Sequence, residues 1–190
     1  MHRRYWHQAL LIGGVILLLA GCGPSKTVKQ DPYQIKVDGL PEERPENIGQ
    51  QPQPKYEPLS RYGNHSPYEV NGKTYRVLDT SQGYRATGNA SWYGRKFHGR
   101  KTSNGEVYDM FQFSAAHREL PLPTYLEVTN LNNDRTIIVR VNDRGPFHSE
   151  RILDLSYAAA EQLDMVRAGV APVAIRAINV LSAGPGQGEV

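Results

Sequence analysis

The pattern of apolar and polar residues divides the chain into three regions. Residues 9–20 form an unbroken apolar run, residues 23–67 show no sustained apolar period, and from Tyr68 onward short runs alternate apolar and polar side chains. Alternation with a period of two is typical of strands that bury one face. The pattern therefore predicts an apolar leader, a segment without a core of its own and a β-rich domain.

Six segments of the β-rich region carry strand or turn signals. Asn71-Gly72, within residues 68–79, predicts a tight hairpin. Ser156–Asp164 is the one predicted helix, with Ser156 as its N-cap. The other predicted strands are Gly88–Tyr93, Thr124–Leu131, Thr136–Asn142, Arg151–Leu153 and Pro172–Leu181. About six short strands and one helix in roughly 100 residues favour a small closed barrel, because closure removes exposed strand edges.

The leader has the features of an export signal. Arg3 and Arg4 precede the apolar run, which is shorter than the roughly 18–20 residues that span a bilayer but fits a signal peptide. The sequence Leu-Ala-Gly-Cys at residues 19–22 resembles the lipobox of bacterial lipoproteins, which implies a signal peptide over 1–21 and lipidation of Cys22. Gly23 after the cysteine favours the outer membrane, with the protein facing the periplasm. The alternative is an ordinary secretory signal with an incidental cysteine.

Residues 22–67 are predicted to form a disordered, lipid-anchored linker. Eight of the 13 prolines lie between residues 23 and 67, and such a segment buries too little apolar surface to offset its ordering entropy. The linker is either a spacer that gives an anchored domain its reach or a stalk with no selected length. The remaining boundaries are a β-hairpin extension at 68–84, a barrel at 85–181 and a flexible tail at 182–190.

Charge and cysteine content exclude several classes of function. The chain has 22 Lys and Arg against 19 Asp and Glu. Because residues 1–22 contain two of the bases and no acid, the rest has 20 against 19, a net charge of +1, which removes the argument for a nucleic-acid partner. A single cysteine excludes an internal disulfide and a Cys-cluster zinc site. The histidines show no metal-ligand spacing, and we expect neither a metal nor a cofactor.

Three segments carry candidate chemistry: ASWYGRKFHG at 90–99, TSNGEVYD with SAAH at 102–117, and VNDRGPF with ILDLS at 141–156. Together they resemble the rare lipoprotein A (RlpA) family, periplasmic lytic transglycosylases with a double-psi β-barrel. The resemblance covers residues 85–181. It implies a mainly β fold, a six-stranded double-psi β-barrel with one short helix, and Asp143 as the catalytic acid and base with Glu106 and His117 as its partners.

The residues themselves leave alternatives to these roles. Asp143 follows a strand whose inward residues are Ile137, Val139 and Val141, and the same parity aims it at the barrel's mouth. It could instead pair with Arg144 or form a turn. Glu106 could be a solvated residue after its turn. For His117 a hydrogen-bonded structural role is also open, and Asp154 is expected to be structural, accepting from backbone amides.

Further residues are candidates for contact with the glycan. The predicted substrate-binding set comprises Trp92, Tyr93, Thr102, Ser103, Asn104, Tyr108 and Arg144. Aromatic faces suit sugar rings and hydroxyl or amide groups suit acetamido groups, although strand packing explains Trp92 and Tyr93 equally simply. A basic stretch could meet carboxylates of peptidoglycan or form a solvated loop. Its members are Arg85, Arg95, Lys96, Arg100 and Lys101.

The resemblance implies cleavage of the MurNAc-GlcNAc β-1,4 bond of peptidoglycan with formation of 1,6-anhydro-MurNAc ends, in wall remodelling or cell separation. We expect a monomer that binds glycan strands, sits on the membrane through Cys22 and contacts division or envelope proteins, with the septum as a candidate location. The alternatives are a non-catalytic glycan-binding module, as in expansins, and a structural envelope lipoprotein. The chain ends about ten residues after the last predicted strand, so we expect the short form, without the C-terminal SPOR domain of many family members.

Overall fold

The computed structural model describes residues 38–46, 48–148 and 150–180, so the predicted leader, Cys22 and the predicted tail lie outside it. Within these ranges the chain forms eight strands and one helix. The elements are β1 Tyr68–Val70, β2 Lys73–Tyr75, β3 Arg85–Tyr93, β4 Ser114–Ala116, β5 Thr124–Asn130, β6 Thr136–Asp143, β7 Arg151–Ser156, α1 Tyr157–Gln162 and β8 Val170–Ala177.

Six of the strands close into a barrel in the order β3-β7-β4-β6-β5-β8. The pairs β3 with β7 and β4 with β6 are parallel, and the other four pairs are antiparallel. This arrangement confirms the predicted mainly β, double-psi barrel with one short helix. Strand β4 was not predicted, because three residues with small side chains give too short a run for an alternation to be visible.

The barrel core is built from alternate residues of its strands. On β6, Ile137, Val139 and Val141 are at most 2% exposed while Thr136 is exposed, as the parity predicted. The other large aliphatic side chains buried in the barrel strands are Leu126, Val128, Leu153, Leu155, Val173 and Ile175. Burial of these aliphatic groups, at roughly 25 cal/mol per Å² of apolar surface, stabilises the closed sheet.

The end of β6 departs from this parity. The register between β4 and β6 shifts from Ala115 opposite Val141 to Ala116 opposite Asp143, so Asn142 is an extra residue on β6. A bulge of this kind re-aims the side chains that follow it. As a result Asn142 is buried, whereas Asp143 is partly exposed at the barrel rim.

Part of the predicted disordered linker lies against the barrel, and for this part the prediction is wrong. We call residues 38–46 and 48–67 the strap. Gly49 N donates to Phe111 O (2.9 Å), Ser60 N donates to Leu122 O (2.8 Å), and Gln51 Oε1 accepts from Ile138 N (2.8 Å). The strap is fixed by hydrogen bonds to barrel backbone groups rather than by an apolar core of its own, which a periodicity argument does not detect.

Asp38 and Gly94 show how closely the strap approaches the barrel. The Asp38 carboxylate accepts from Gly94 N (3.0 Å) and Lys96 N (3.1 Å). Gly39 O lies so near Gly94 that a Cβ there would collide with it, so this position requires glycine. The strap therefore contacts the barrel at both of its ends.

The predicted hairpin and helix are confirmed with shorter bounds. Asn71 and Gly72 both have positive φ (52° and 73°), as a two-residue turn of this type requires, and they join β1 to β2. Ser156 is the N-cap of α1, and its Oγ accepts from Ala159 N (3.3 Å). No helix in the described part of the chain is long and apolar enough to cross a membrane.

Asn64→Ala tests the attachment of the strap. Asn64 Nδ2 donates to Ser60 O and Leu122 O, and its Oδ1 accepts from Leu122 N and Arg144 Nη2. Losing these bonds leaves buried groups unpaired, and we expect the free energy of unfolding to fall by about 1–3 kcal/mol in a urea titration. Asn132→Ala, at an exposed turn residue, is the control and should stay within about 0.5 kcal/mol of wild type. Equal free energies of unfolding for the two variants would contradict the attachment of the strap to the barrel through Asn64.

Candidate active site

Asp143 is held at the rim of the barrel through one of its two carboxylate oxygens. Its Oδ1 accepts from Ser103 N (2.8 Å), Ser103 Oγ (2.6 Å) and Arg144 N (2.8 Å). Among the residues that the structure describes, none donates a hydrogen bond to Oδ2. One oxygen is therefore fixed in position by three donors, and the other oxygen of this partly exposed carboxylate has no donor within the described ranges.

Ser103 reaches Asp143 because the chain folds into a compact loop between Lys101 and Val107, which pair as an isolated bridge. Thr102 N donates to Glu106 O (2.8 Å) and Gly105 N to Thr102 O (2.9 Å). Gly105 has φ = 92°, a conformation that favours glycine. The loop thus presents Ser103 to Asp143 at one point and Glu106 at another.

Two predicted substrate contacts belong to the framework of this loop. Asn104 Oδ1 accepts from Thr102 Oγ1 (2.7 Å) and Glu106 N (3.2 Å), and Asn104 Nδ2 donates to Ser60 Oγ of the strap (3.4 Å). The side chains of Thr102 and Asn104 are buried. The structure therefore places these residues inside the loop, whereas Ser103 is the member of the trio that contacts the candidate catalytic acid.

Glu106 is engaged in an ion pair. Its two oxygens accept from Arg140 Nη1 (2.9 and 2.8 Å), and Oε2 also accepts from Asn142 Nδ2 (2.9 Å). Burial raises the pKa of the Glu106 carboxyl, but the hydrogen bonds from Asn142 and Arg140 and the charge of Arg140 outweigh it and leave this pKa below its usual value. Glu106 is consequently a fixed anion at neutral pH and a poor proton donor.

The strap takes part in this ion pair. Glu57 accepts from Arg140 Nε (2.9 Å) and Nη2 (2.8 Å), so Arg140 bridges two carboxylates. Arg140 and Asn142 were missed as site residues, although both fall on the outward parity of β6 and that parity could have indicated them. Nothing in the sequence around Glu57 signalled its contact with the barrel.

The backbone of His117 contacts Asp143, but the imidazole ring contacts other residues. His117 N donates to Asp143 O (3.1 Å). The ring is buried; Nδ1 accepts from Glu119 N (3.1 Å) and Leu120 N (3.0 Å), and Nε2 lies 3.1 Å from Tyr84 Oη. Burial, together with the charges of Arg118 and Arg144, lowers the pKa of His117 to about 3. The imidazole is therefore neutral, and in the described structure it makes no side-chain hydrogen bond to Asp143 or Glu106.

Arg144, a predicted substrate contact, is a buried connector. Its guanidinium donates to Gly63 O (2.7 Å), to His117 O (3.1 Å) and Leu120 O (2.6 Å), and to Asn64 Oδ1 (3.1 Å). These bonds join the strap to the segment after β4. The structure thus places the Arg144 side chain among backbone carbonyls, while its backbone N–H contacts Asp143.

The predicted aromatic contacts pack against one another. The rings of Tyr93 and Tyr108 stack with centroids 4.3 Å apart, both are buried, and Tyr108 Oη donates to Tyr93 O (2.6 Å). Trp92 is half-buried and meets the Tyr157 ring edge-on, with centroids 5.9 Å apart. These residues support the wall of the barrel beside the loop.

Three bases of the predicted basic stretch contact other side chains of the chain. Arg95 pairs with Glu42 of the strap (2.7 Å), and Lys96 and Arg100 both lie over the ring of Phe97.

Asp154 pairs with Arg151 (2.9 Å) rather than accepting from backbone amides as expected. In the described ranges no three His, Cys, Asp or Glu side chains are grouped as a metal site would require.

The chain is similar in sequence to known proteins. The family described as lytic transglycolase matches residues 85–175, which contain Asp143, Glu106 and His117. The endolytic peptidoglycan transglycosylase RlpA of Vibrio cholerae is 47% identical over 167 residues, 87% of this chain, and its Pseudomonas aeruginosa namesake (strain UCBPP-PA14) is 54% identical over 114 residues, 60% of this chain. Across these matched residues the chain resembles the RlpA family.

The chain matches only part of the length of these RlpA proteins. The chain covers 62% of the Vibrio protein and 33% of the Pseudomonas protein, so it spans less than two thirds of the length of these relatives. Among solved structures, Streptomyces papain inhibitor is 24% identical with a TM-score of 0.45, over 53% of this chain and 100% of that one. The 167-residue match is longer than the barrel, so it also includes residues outside the barrel.

The neutral state of His117 has a consequence for stability. Because its folded pKa (about 3) lies below the unfolded value of 6.5, the unfolded chain binds the proton first, and stability falls as pH is lowered from 6.5 towards 3. In His117→Asn this contribution disappears, so we expect the pH dependence of the unfolding free energy to be shallower by up to about 1.4 kcal/mol per pH unit. Asn132→Ala, at an exposed turn residue that does not titrate, is the control and should keep the wild-type slope. If the unfolding free energies of wild type and His117→Asn depended equally on pH, the neutral state of His117 in the folded protein would be contradicted.

Proposed function

We propose that the chain is a lytic transglycosylase that cleaves the MurNAc-GlcNAc β-1,4 bond of peptidoglycan and leaves 1,6-anhydro-MurNAc ends. The observation that carries the proposal is the one-sided hydrogen bonding of Asp143, which gives a rim carboxyl one fixed and one available oxygen. The similarity to RlpA proteins of Vibrio and Pseudomonas, which are named endolytic peptidoglycan transglycosylases, supports the choice of reaction.

In the proposed reaction, Asp143 acts as acid and then as base. The proton on Oδ2 passes to the glycosidic oxygen, the bond between that oxygen and C1 of MurNAc breaks, and the glycan beyond it leaves as an alcohol. The 6-hydroxyl of the same MurNAc then attacks C1 and gives its proton to Oδ2, which restores the acid. Atoms balance without added water, because the nucleophile belongs to the substrate.

The surroundings of Asp143 suit these two steps. Ser103 and the N–H of Arg144 stabilise the carboxylate that exists between the two proton transfers, since hydrogen bonds to the charged form favour it. Glu106, held by Arg140 and Asn142, supplies a fixed negative charge to the site. His117 N donates a hydrogen bond to Asp143 O, which holds the backbone of Asp143 in position.

The location of the protein is part of the proposal. Cys22, which resembles a lipobox cysteine, would carry acyl chains and hold the domain on the outer membrane facing the periplasm, where peptidoglycan lies. Division or envelope proteins are the remaining proposed partners.

Asp143→Asn tests the catalytic assignment. The variant chain from residue 23 and its wild-type counterpart are incubated with purified sacculi, and products are analysed by mass spectrometry. We expect wild type to release 1,6-anhydromuramyl fragments and Asp143→Asn to lose at least about 100-fold in rate, the usual size of a general acid-base contribution. Asp134→Asn, at an exposed turn, is the matched control and should keep full activity. Binding without products in every variant would contradict the proposal and support a non-catalytic module.

Ser103→Ala tests the role of the hydrogen bond from Ser103 Oγ. The variant keeps the backbone donors to Oδ1, so we expect the fold to persist while the rate constant of cleavage drops roughly tenfold, the effect of one charge-assisted hydrogen bond. Thermal unfolding measured alongside separates this loss from misfolding. An unchanged rate constant would show that Ser103 has no influence on the acid.

A further inference from the structure

A groove that contains neither Asp143 nor Glu106 lies between the β1–β2 hairpin and the barrel. Its volume is about 780 Å³. The hairpin contributes Lys73 and Arg76, the segment after β4 contributes His117, Arg118 and Glu119, and Tyr84 precedes β3. The hairpin-side residues of this groove, 73–76, and Tyr84 all precede residues 85–175, the part matched by the lytic transglycolase family.

The charge on the groove walls is positive. Three bases face a single acid, Glu119, and within the described ranges neither Lys73 nor Arg76 forms an ion pair. Arg118 Nη2 donates to Arg151 O, which fixes the guanidinium against β7. Lys73 Nζ lies 5.6 Å from the centre of the Tyr75 ring. Such a surface attracts anionic groups.

Tyr84 adds a directed hydroxyl donor to this groove. Nδ1 of His117 accepts two backbone N–H groups, so in the neutral ring the proton must reside on Nε2. Nε2–H therefore donates to Tyr84 Oη, 3.1 Å away. Tyr84 Oη accepts in that bond, and its own O–H is left to donate; no acceptor for it is present among the described residues. The groove thus combines guanidinium, ammonium and hydroxyl donors.

We propose that this groove binds a carboxylate group of peptidoglycan, with Tyr84 and Arg76 as its donors and His117 as the residue that positions the Tyr84 hydroxyl. The proposal rests on the proposed function for the identity of the polymer. The carboxylate is either the lactyl group of MurNAc in stripped glycan or a carboxylate of the stem peptide. A guanidinium and a hydroxyl donor that line the same groove can both donate to either carboxylate.

The groove and the candidate active site are joined through one residue. His117 N donates to Asp143 O, while the ring of the same residue forms part of the groove wall. Phe147, four residues after Asp143, packs against Tyr75 with ring centroids 5.5 Å apart. The groove wall and the backbone of Asp143 are therefore linked through His117 and through the Phe147–Tyr75 contact.

The test measures binding in the Asp143→Asn background with the chain from residue 23, so that no ligand is cleaved. The three ligands are amidase-stripped glycan, glycan with stem peptides and chitohexaose, which has no carboxylate. Tyr84→Phe and Arg76→Gln are the test variants. Arg167→Gln, which removes one positive charge at an exposed turn, is the matched control.

We expect Tyr84→Phe and Arg76→Gln each to weaken binding of at least one carboxylate-bearing glycan about tenfold, and to leave chitohexaose binding unchanged. A loss confined to stripped glycan assigns the lactyl group, and a loss confined to peptide-bearing glycan assigns the stem. Equal affinities of these variants and Arg167→Gln for all ligands would overturn the proposal. Because binding is read without turnover, failure of the cleavage experiment would leave this result intact, and the converse also holds.

Discussion

Three hydrogen bonds to a single oxygen of Asp143 are the constraint on which the rest of the candidate site depends. They require the loop between Lys101 and Val107 to close, because Ser103 supplies two of the donors. They also require the bulge at Asn142, which turns the end of β6 so that Asp143 reaches that loop. Arg144 supplies the third donor, and its buried guanidinium is anchored by Gly63 and Asn64 of the strap.

The three residues implied as catalytic occupy different physical environments. Asp143 keeps one oxygen available, Glu106 is bound by Arg140 and Asn142, and His117 is buried and neutral. A hydrolase would need a second carboxylate free to activate water or to attack carbon. Glu106 is already committed to its ion pair, which favours a reaction that uses Asp143 alone and takes its nucleophile from the substrate. In this account Glu106 contributes charge, and His117 contributes orientation.

Much of the barrel was predictable from the sequence, because alternation along β6 and the Asn71-Gly72 turn are local signals. The family motifs also pointed to Asp143 and to Ser103 in its loop. What could not be predicted depends on contacts between distant segments. The strap has no apolar period, and its order comes from hydrogen bonds to barrel groups such as Ile138 N. Arg144 is buried only because strap carbonyls and the 117–120 segment surround it.

In the proposed mechanism, one carboxyl group transfers both protons while the muramyl 6-hydroxyl, rather than water, attacks C1. Digestion of peptidoglycan in oxygen-18 water, followed by mass spectrometry of the glycan ends, tests it directly. Attack by the 6-hydroxyl would produce anhydromuramyl ends that carry no heavy oxygen. Reducing ends with one heavy oxygen for each cleaved bond would show that water is the nucleophile and would contradict it.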